Sequence, residues 1–170
     1  MSSFNGQYQR YALCALLLNV GGCFQPLYAP INGRDVRSEL AAIAIAPISD
    51  RLGHYLETEL AFALNGGASE TPPKYKLVVT VRERVQTPLI DTVSGRASAA
   101  TVMVDADYQL NPISGGAPIL TGVAFTAATY DRSSQRYANI RAARDAEIRD
   151  AKSLADQIRT RLAAGLATRS

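Results

Sequence analysis

The side chains that could do chemistry are few in this 170-residue chain, which has a single histidine and two cysteines. Metal sites built from several imidazoles or thiolates therefore cannot be assembled. His54 has no serine or aspartate near it at the spacing of a catalytic triad. Asp105 and Asp107 are two residues apart, as paired carboxylates could be, but charges on the solvated face of a strand are the simpler explanation. We expect no enzymatic activity, no metal and no cofactor.

Cys23 is the cysteine whose neighbouring residues indicate a chemical role. Arg10 precedes an apolar run over residues 11–18, and the Val-Gly-Gly-Cys sequence that ends at Cys23 resembles a bacterial lipobox. In a lipobox the cysteine sulfur receives diacylglycerol, and cleavage then makes this cysteine the first residue of the mature chain. Each buried methylene contributes about 0.8 kcal/mol, so several acyl chains hold a domain on a membrane. The alternative is a cleaved secretory signal with an incidental cysteine.

The residue after Cys23 bears on where such a lipoprotein would reside. Phe24 occupies this position, and by resemblance to Gram-negative lipoproteins the absence of aspartate there favours the outer membrane. Cys14 lies in the segment that would be discarded, so the mature chain would hold no thiol for an internal disulfide. We predict a signal peptide over residues 1–22, a lipidated tether over 23–38 and a single α/β domain over 39–167.

The spacing of apolar residues predicts the element order β-α-β-β-β-α. A short apolar run over residues 40–46 indicates a strand, and leucines every four residues from Leu52 to Leu64 indicate a helix. Ser49 and Asp50 are candidate caps for that helix, and Asn65-Gly66-Gly67 is its expected end. Alternating patterns predict strands over 75–85, 97–110 and 119–127, and three- and four-residue steps predict a helix over 134–166.

These elements fit an α+β fold. We predict a two-layer sandwich in which a four-stranded, mainly antiparallel sheet carries two helices on one face, because both apolar stripes are then buried against one surface. The composition, 47% hydrophobic and 19% charged, is that of one ordinary globular domain. No apolar run approaches the ~20 residues that a membrane-spanning helix needs.

Basic residues concentrate in the last quarter of the chain. Residues 131–170 hold nine basic and five acidic side chains, whereas the whole chain has a net charge of only +3. A solvated helix face explains most of them. Arg144 is the exception, because it lies four residues before Ile148 and so near the predicted apolar stripe of the last helix. An exported lipoprotein would not meet nucleic acid, so we expect phosphorylated lipid as the anion that such an arginine binds.

Several short motifs resemble the LPS-assembly lipoprotein family LptE in its alphaproteobacterial form. The resemblance begins at Gly22-Cys23-Phe24-Gln25-Pro26-Leu27-Tyr28, although the family's usual glycine after the cysteine is missing. It continues through Ile48-Ser49-Asp50-Arg51-Leu52-Gly53 and Asn65-Gly66-Gly67. Later matches are Ser94-Gly95-Arg96, Tyr108-Gln109-Leu110 and Ala143-Arg144-Asp145-Ala146.

The resemblance implies a function without covalent chemistry. Such a protein plugs the outer-membrane β-barrel LptD, assists its assembly and helps to insert lipopolysaccharide into the outer leaflet. Family members bind lipopolysaccharide through a lysine in an Ala-Lys-Asp motif, which Ala143-Arg144-Asp145 matches with arginine. A second family basic residue falls at Val93, so that Arg96 is the candidate to replace it.

Two other functions remain open from the sequence. The chain could be an auxiliary lipoprotein of an ABC-type lipid transporter, which predicts partners in the inner membrane and no barrel. It could also be a periplasmic enzyme such as a hydrolase, but that requires a nucleophile with a positioned base.

Overall fold

A computed structural model describes residues 35–66, 71–87 and 98–169. Cys23 and Arg96, two of the predicted functional residues, lie outside this part of the chain. The elements in chain order are α1 (Val36–Ala41), β1 (Ile43–Ile45), α2 (Asp50–Asn65), β2 (Tyr75–Gln86), β3 (Ala99–Pro112), β4 (Leu120–Asp131) and α3 (Arg136–Ala167).

The four strands form one sheet in the order β1-β2-β3-β4. β2, β3 and β4 are antiparallel neighbours, and the β3–β4 connection begins after Pro112 and contains Gly115 and Gly116 with positive φ. β1 pairs with β2 in parallel, with α2 as the crossover between them. The predicted mainly antiparallel sheet of an α+β sandwich is confirmed, with β1 as its one parallel strand.

One face of the sheet is buried beneath the helices. Along β3, every second residue is buried, as the alternation predicts: Ala100, Val102, Val104, Ala106, Tyr108 and Leu110. The residues between them, such as Thr101 and Asp105, lie on the other face and are partly exposed. The core is therefore a single apolar layer between the sheet and the helices.

Both long helices bury the stripes that their spacing predicts. On α2 the buried side chains include Leu52, Leu56, Leu60 and Leu64, and the helix ends at Gly66, whose φ of 69° is left-handed. Ser49 is the N-cap residue, but its side chain makes no capping hydrogen bond. On α3 the buried stripe includes Leu154, Ile158 and Leu162. Burying each leucine or isoleucine side chain contributes roughly 1.5–3 kcal/mol.

The prediction of a strand that starts at residue 40 is wrong. Leu40 and Ala41 belong to α1, which Asp35 caps by accepting a hydrogen bond from the Arg37 backbone N–H at 3.0 Å. Val36 and Leu40, one helical turn apart, are both buried, so tertiary packing favours a helix over an apolar strand here. α1 thus begins inside the range predicted for the tether.

Candidate functional site

The N-terminal part of α3 extends beyond the core. No residue of this helix before Ala146 is buried, and in Arg136–Asp145, which is about 15 Å long, only Asn139, Ala142 and Ala143 are half-buried. This segment contains Arg144, the residue predicted to bind lipid phosphate, and Arg144 is exposed.

Apolar and cationic side chains share one face of this segment. Positions 137, 140, 141, 144 and 148 fall within about 100° of the helix circumference. Tyr137 is 73% exposed, Ile140 is 50% exposed and Ile148 is 40% exposed. Arg141 and Arg144 lie between them and are exposed. We call these five residues the arginine–isoleucine face.

The predicted burial of Ile148 is therefore wrong. Ile148 continues the buried stripe of α3 in spacing, but at this level of the helix the buried side is formed by Ala146, Glu147 and Asp150, and Ile148 points away from them. Arg144 does lie on the same side as Ile148, as its spacing predicts. The consequence is an exposed amphipathic surface in place of the end of a buried stripe.

The arginines of this face have no ion-pair partner among the described residues. The nearby acid, Asp145, instead accepts a hydrogen bond from Arg149 Nε at 3.0 Å, an ion pair in the acid-first i, i+4 order that favours a helix. Arg149 also donates to the Thr129 carbonyl at 3.1 Å. Arg144 is thus exposed and makes no ion pair within the described residues.

The β2–β3 connection, which contains Arg96, starts and ends at the same end of the sheet as this face. Thr101 pairs with Gln86, and Ala99 pairs with Asp131 shortly before α3 begins. The Arg132 N–H donates to the Ser98 carbonyl at 2.8 Å. Arg96 itself and Val93 lie outside the described residues, so the role of Arg96 stays a prediction.

A buried charged cluster that the sequence reasoning missed lies next to this face. Arg51 of α2 grips Glu147 of α3 with two nitrogens, and its Nε lies 2.8 Å from Glu147 Oε2. Glu147 is only 3% exposed. The hydrogen bond and charge of Glu147 raise the pKa of Arg51, whose side chain is exposed, and the pair links the two long helices.

Asp150 is the most deeply buried member of the charged cluster, at 1% exposed. Thr126 Oγ1 donates to its Oδ1 at 3.1 Å, but its Oδ2 has no hydrogen-bond partner among the described residues. Burial raises the pKa of Asp150. Glu83 lies on β2 and pairs with Val104 of β3. Partial burial and the negative charges of Glu147 and Asp150 raise the pKa of Glu83.

One signal in the sequence points to the two acids of the cluster but does not decide whether they are buried. Glu147 and Asp150 are three residues apart and interleave with the buried Ala146, Ala151 and Leu154. Acids at such positions are either buried or mark the edge of the stripe, and periodicity does not distinguish the two.

Asp105, Asp107 and His54, which were considered as catalytic residues, make ordinary structural contacts. Asp107 pairs with Arg82 at 2.6 Å across the open face of the sheet, and Asp105 pairs with Arg84. His54 is exposed on α2, with its ring centroid 6.4 Å from that of Tyr55. Within residues 35–66, 71–87 and 98–169, no three His, Cys, Asp or Glu side chains are placed to hold a metal ion.

The open face of the sheet carries exposed apolar residues besides these ion pairs. Val123 is 54% exposed and Phe125 is 48% exposed on β4, and Val78 is 37% exposed on β2. None of the described helices combines the length and hydropathy needed to cross a bilayer.

The chain is similar in structure to bacterial lipoproteins. A Caulobacter crescentus protein assigned as a lipoprotein matches with 28% identity and a TM-score of 0.67, over 79% of this chain and 97% of that one. A minor lipoprotein from Acinetobacter baumannii matches with 15% identity and a TM-score of 0.53, over 73% of this chain and 91% of that one. The second match shows the fold alone.

No protein-family model matches the chain, and no curated protein matches it either. The structural similarities nevertheless support the coarser part of the sequence analysis. This chain has the fold of a group of lipoproteins, and a membrane-anchored lipoprotein is the class of protein to which its similarities point.

Proposed function

We propose that this chain is an outer-membrane lipoprotein that plugs the LptD β-barrel, helps it to assemble and assists the insertion of lipopolysaccharide into the outer leaflet. It acts by binding and carries out no covalent chemistry. The observation that carries this proposal is the arginine–isoleucine face, where Arg141 and Arg144 lie unpaired beside exposed Ile140 and Ile148. The lipoprotein similarity and the family resemblance of the sequence support it further.

The chemistry of this face matches a phosphorylated lipid. Guanidinium groups bind phosphate through paired, charge-assisted hydrogen bonds, and they compete there with the divalent cations that bridge neighbouring lipids. Exposed isoleucines on the same side offer apolar contact to acyl chains. In this proposal Arg144 binds a lipid phosphate, and Arg96 contributes from the adjoining β2–β3 connection.

The proposed barrel contact is supported by the open face of the sheet. Val123 and Phe125 are about half exposed there, beside the Arg82–Asp107 and Arg84–Asp105 pairs. A broad surface that mixes apolar residues with neutralised charges is typical of protein interfaces.

Lipopolysaccharide pull-down tests the lipid-binding part. We expect Arg144→Ala to weaken retention several-fold, and Arg144→Ala with Arg96→Ala to weaken it further, because each charge-assisted hydrogen bond contributes about 1.5–3 kcal/mol. Arg37→Ala is the matched control, since it removes the same charge from α1 at the other end of the sheet. Unchanged binding by the double variant would refute the role of these arginines.

Purification in mild detergent tests the partner. Co-elution of a large β-barrel is the expected result. Co-elution of an inner-membrane permease would instead establish the ABC-transporter alternative and overturn the proposal.

A further inference from the structure

β1 lies at one edge of the sheet, and its pairing with β2 defines which backbone groups it uses. The Tyr75 N–H donates to the Ala42 carbonyl at 3.2 Å, and the Ala46 N–H donates to the Leu77 carbonyl at 2.8 Å. Along an edge strand, the backbone groups of alternate residues point to the neighbouring strand and to the open side. Residues 42, 44 and 46 therefore face β2.

The groups that point to the open side belong to Ile43 and Ile45. In the parallel register Ile43 is opposite Tyr75 and Ile45 is opposite Leu77. Each of the two isoleucines thus presents one N–H and one C=O away from the sheet. Within the described residues no hydrogen bond to these four groups is recorded.

The opposite edge of the sheet is covered. On β4 the outward carbonyls of Val123, Phe125 and Thr129 accept hydrogen bonds from side chains of α3. The donors are Arg161, Gln157 at 3.0 Å and Arg149 at 3.1 Å. Covering an edge strand in this way prevents it from pairing with another chain. The chain thus blocks one edge and leaves the other open to pairing.

A groove runs beside the open edge, between β1 and α2. It has a volume of about 380 Å³, and its lining includes Ile43, Ala44, Ile45, Glu57 and Ala61. We call this the β1 groove. It shares Glu57 and Ala61 with a second depression of about 370 Å³, which continues along α2 to His54, Thr58 and Phe62. Phe62 is 70% exposed at the far end.

The charged side chain among the described lining residues of the two depressions is acidic. Glu57 is the acid that lines both depressions, and among the described lining residues there is no lysine or arginine. The outward N–H and C=O groups of β1 alternate, and a partner must have an extended backbone to pair with them. The carboxylate of Glu57 favours a positively charged side chain on that partner.

We propose that an extended segment of a partner protein adds to the sheet as a strand alongside β1, with small apolar side chains in the β1 groove and a lysine or arginine beside Glu57. This site is remote from the arginine–isoleucine face, and it goes beyond the function proposed above. An experiment can therefore contradict strand addition at β1 without contradicting lipid binding, and the reverse.

The test uses a synthetic peptide of about nine residues, alternating valine and threonine, with a central lysine. It is titrated into the isotopically labelled mature protein in detergent, and backbone amides are followed by NMR. We expect the amides of Ile43 and Ile45 to shift and to gain protection from hydrogen exchange, whereas the amide of Ala44 is already paired and changes little. The same peptide N-methylated at alternate residues should not bind.

Two variants make the test specific to this edge. Ile45→Pro removes an outward N–H without removing a hydrogen bond to β2, and we expect about tenfold weaker binding. Ile45→Val is its control and keeps both the N–H and the apolar side chain. Glu57→Lys should weaken binding of the lysine peptide and strengthen binding of a peptide with a central glutamate. Lipopolysaccharide retention should be unaffected by all three.

Three results would overturn the proposal. The first is peptide binding that ignores N-methylation or Ile45→Pro. The second is protection of the Ile43 and Ile45 amides before any peptide is added, which would mean that the chain covers this edge itself. The third is a concentration-dependent dimer that Ile45→Pro abolishes, which would make a second copy the occupant.

Discussion

Glu147 and Asp150 are carboxylates in positions where the packing of α3 would suit apolar side chains. Glu147 is neutralised by the two-pronged contact with Arg51, so its burial ties α2 to α3. Asp150 has a neutral donor, Thr126, and one buried oxygen without a partner among the described residues. A buried, incompletely satisfied carboxylate costs stability when it is ionised. These two acids therefore have opposite effects on the fold.

Replacing Asp150 by asparagine tests this difference. The pKa of Asp150 is raised above its ordinary value of 3.8, so the folded state binds a proton more readily than the unfolded state. Stability should fall as the pH rises through the folded pKa, and Glu83 contributes in the same direction. We expect Asp150→Asn to raise the free energy of unfolding by about 1 kcal/mol near neutral pH and to flatten its decline above the ordinary carboxyl pKa of 3.8.

Urea unfolding at several pH values measures this effect. Asp156→Asn is the matched control, because Asp156 is an exposed acid on the same helix. If Asp150→Asn left the pH profile of the wild type unchanged, burial of the charged form would not be the source of the cost.

The packing of β4 against its neighbours depends on a residue without a side chain. Gly122 pairs with Tyr108, whose ring crosses the inner face of the sheet above it. A Cβ added at Gly122 would lie 2.6 Å from Cζ of that ring. An aromatic ring is rigid, so either β4 or the ring of Tyr108 must move to accommodate the added methyl group.

We predict that Gly122→Ala lowers the free energy of unfolding by about 1–3 kcal/mol, the usual cost of overpacking a core. Combining it with Tyr108→Leu should recover part of that loss, since the ring is the obstacle. Chemical denaturation of the four members of this double-mutant cycle gives the coupling. Additive effects of the two substitutions would show that the ring and the added methyl do not collide.

The two ends of the molecule differ in chemistry. Glu39 of α1 contacts Lys74 and Tyr75 at the start of β2, and the arginine–isoleucine face lies at the other end of that strand. β2 has twelve residues, which span about 40 Å. α1 and the arginine–isoleucine face thus lie at opposite ends of the sheet.

Lipidation at Cys23 is testable in cells. We expect Cys23→Ser to abolish incorporation of a palmitate analogue and to release the domain from the membrane fraction, because the acyl chains on Cys23 are the proposed membrane anchor. Cys14→Ser, in the predicted signal peptide, should leave both properties of the mature protein intact. An unlabelled wild-type protein would contradict the proposed anchor.

Periodicity alone determined the long elements, because each has one face in water and one in the core. Leu52 to Leu64 predicted α2, and the alternation of β3 predicted which residues are buried. Tertiary structure decided the rest. Leu40 is helical because α1 packs Val36 and Leu40 together, whereas local sequence allowed a strand. Glu147 is buried because Arg51, almost a hundred residues away, neutralises it. Ile148 is exposed because Ala146, Glu147 and Asp150 form the buried side of α3 at this level. Such outcomes depend on partners distant in sequence, which local spacing cannot specify.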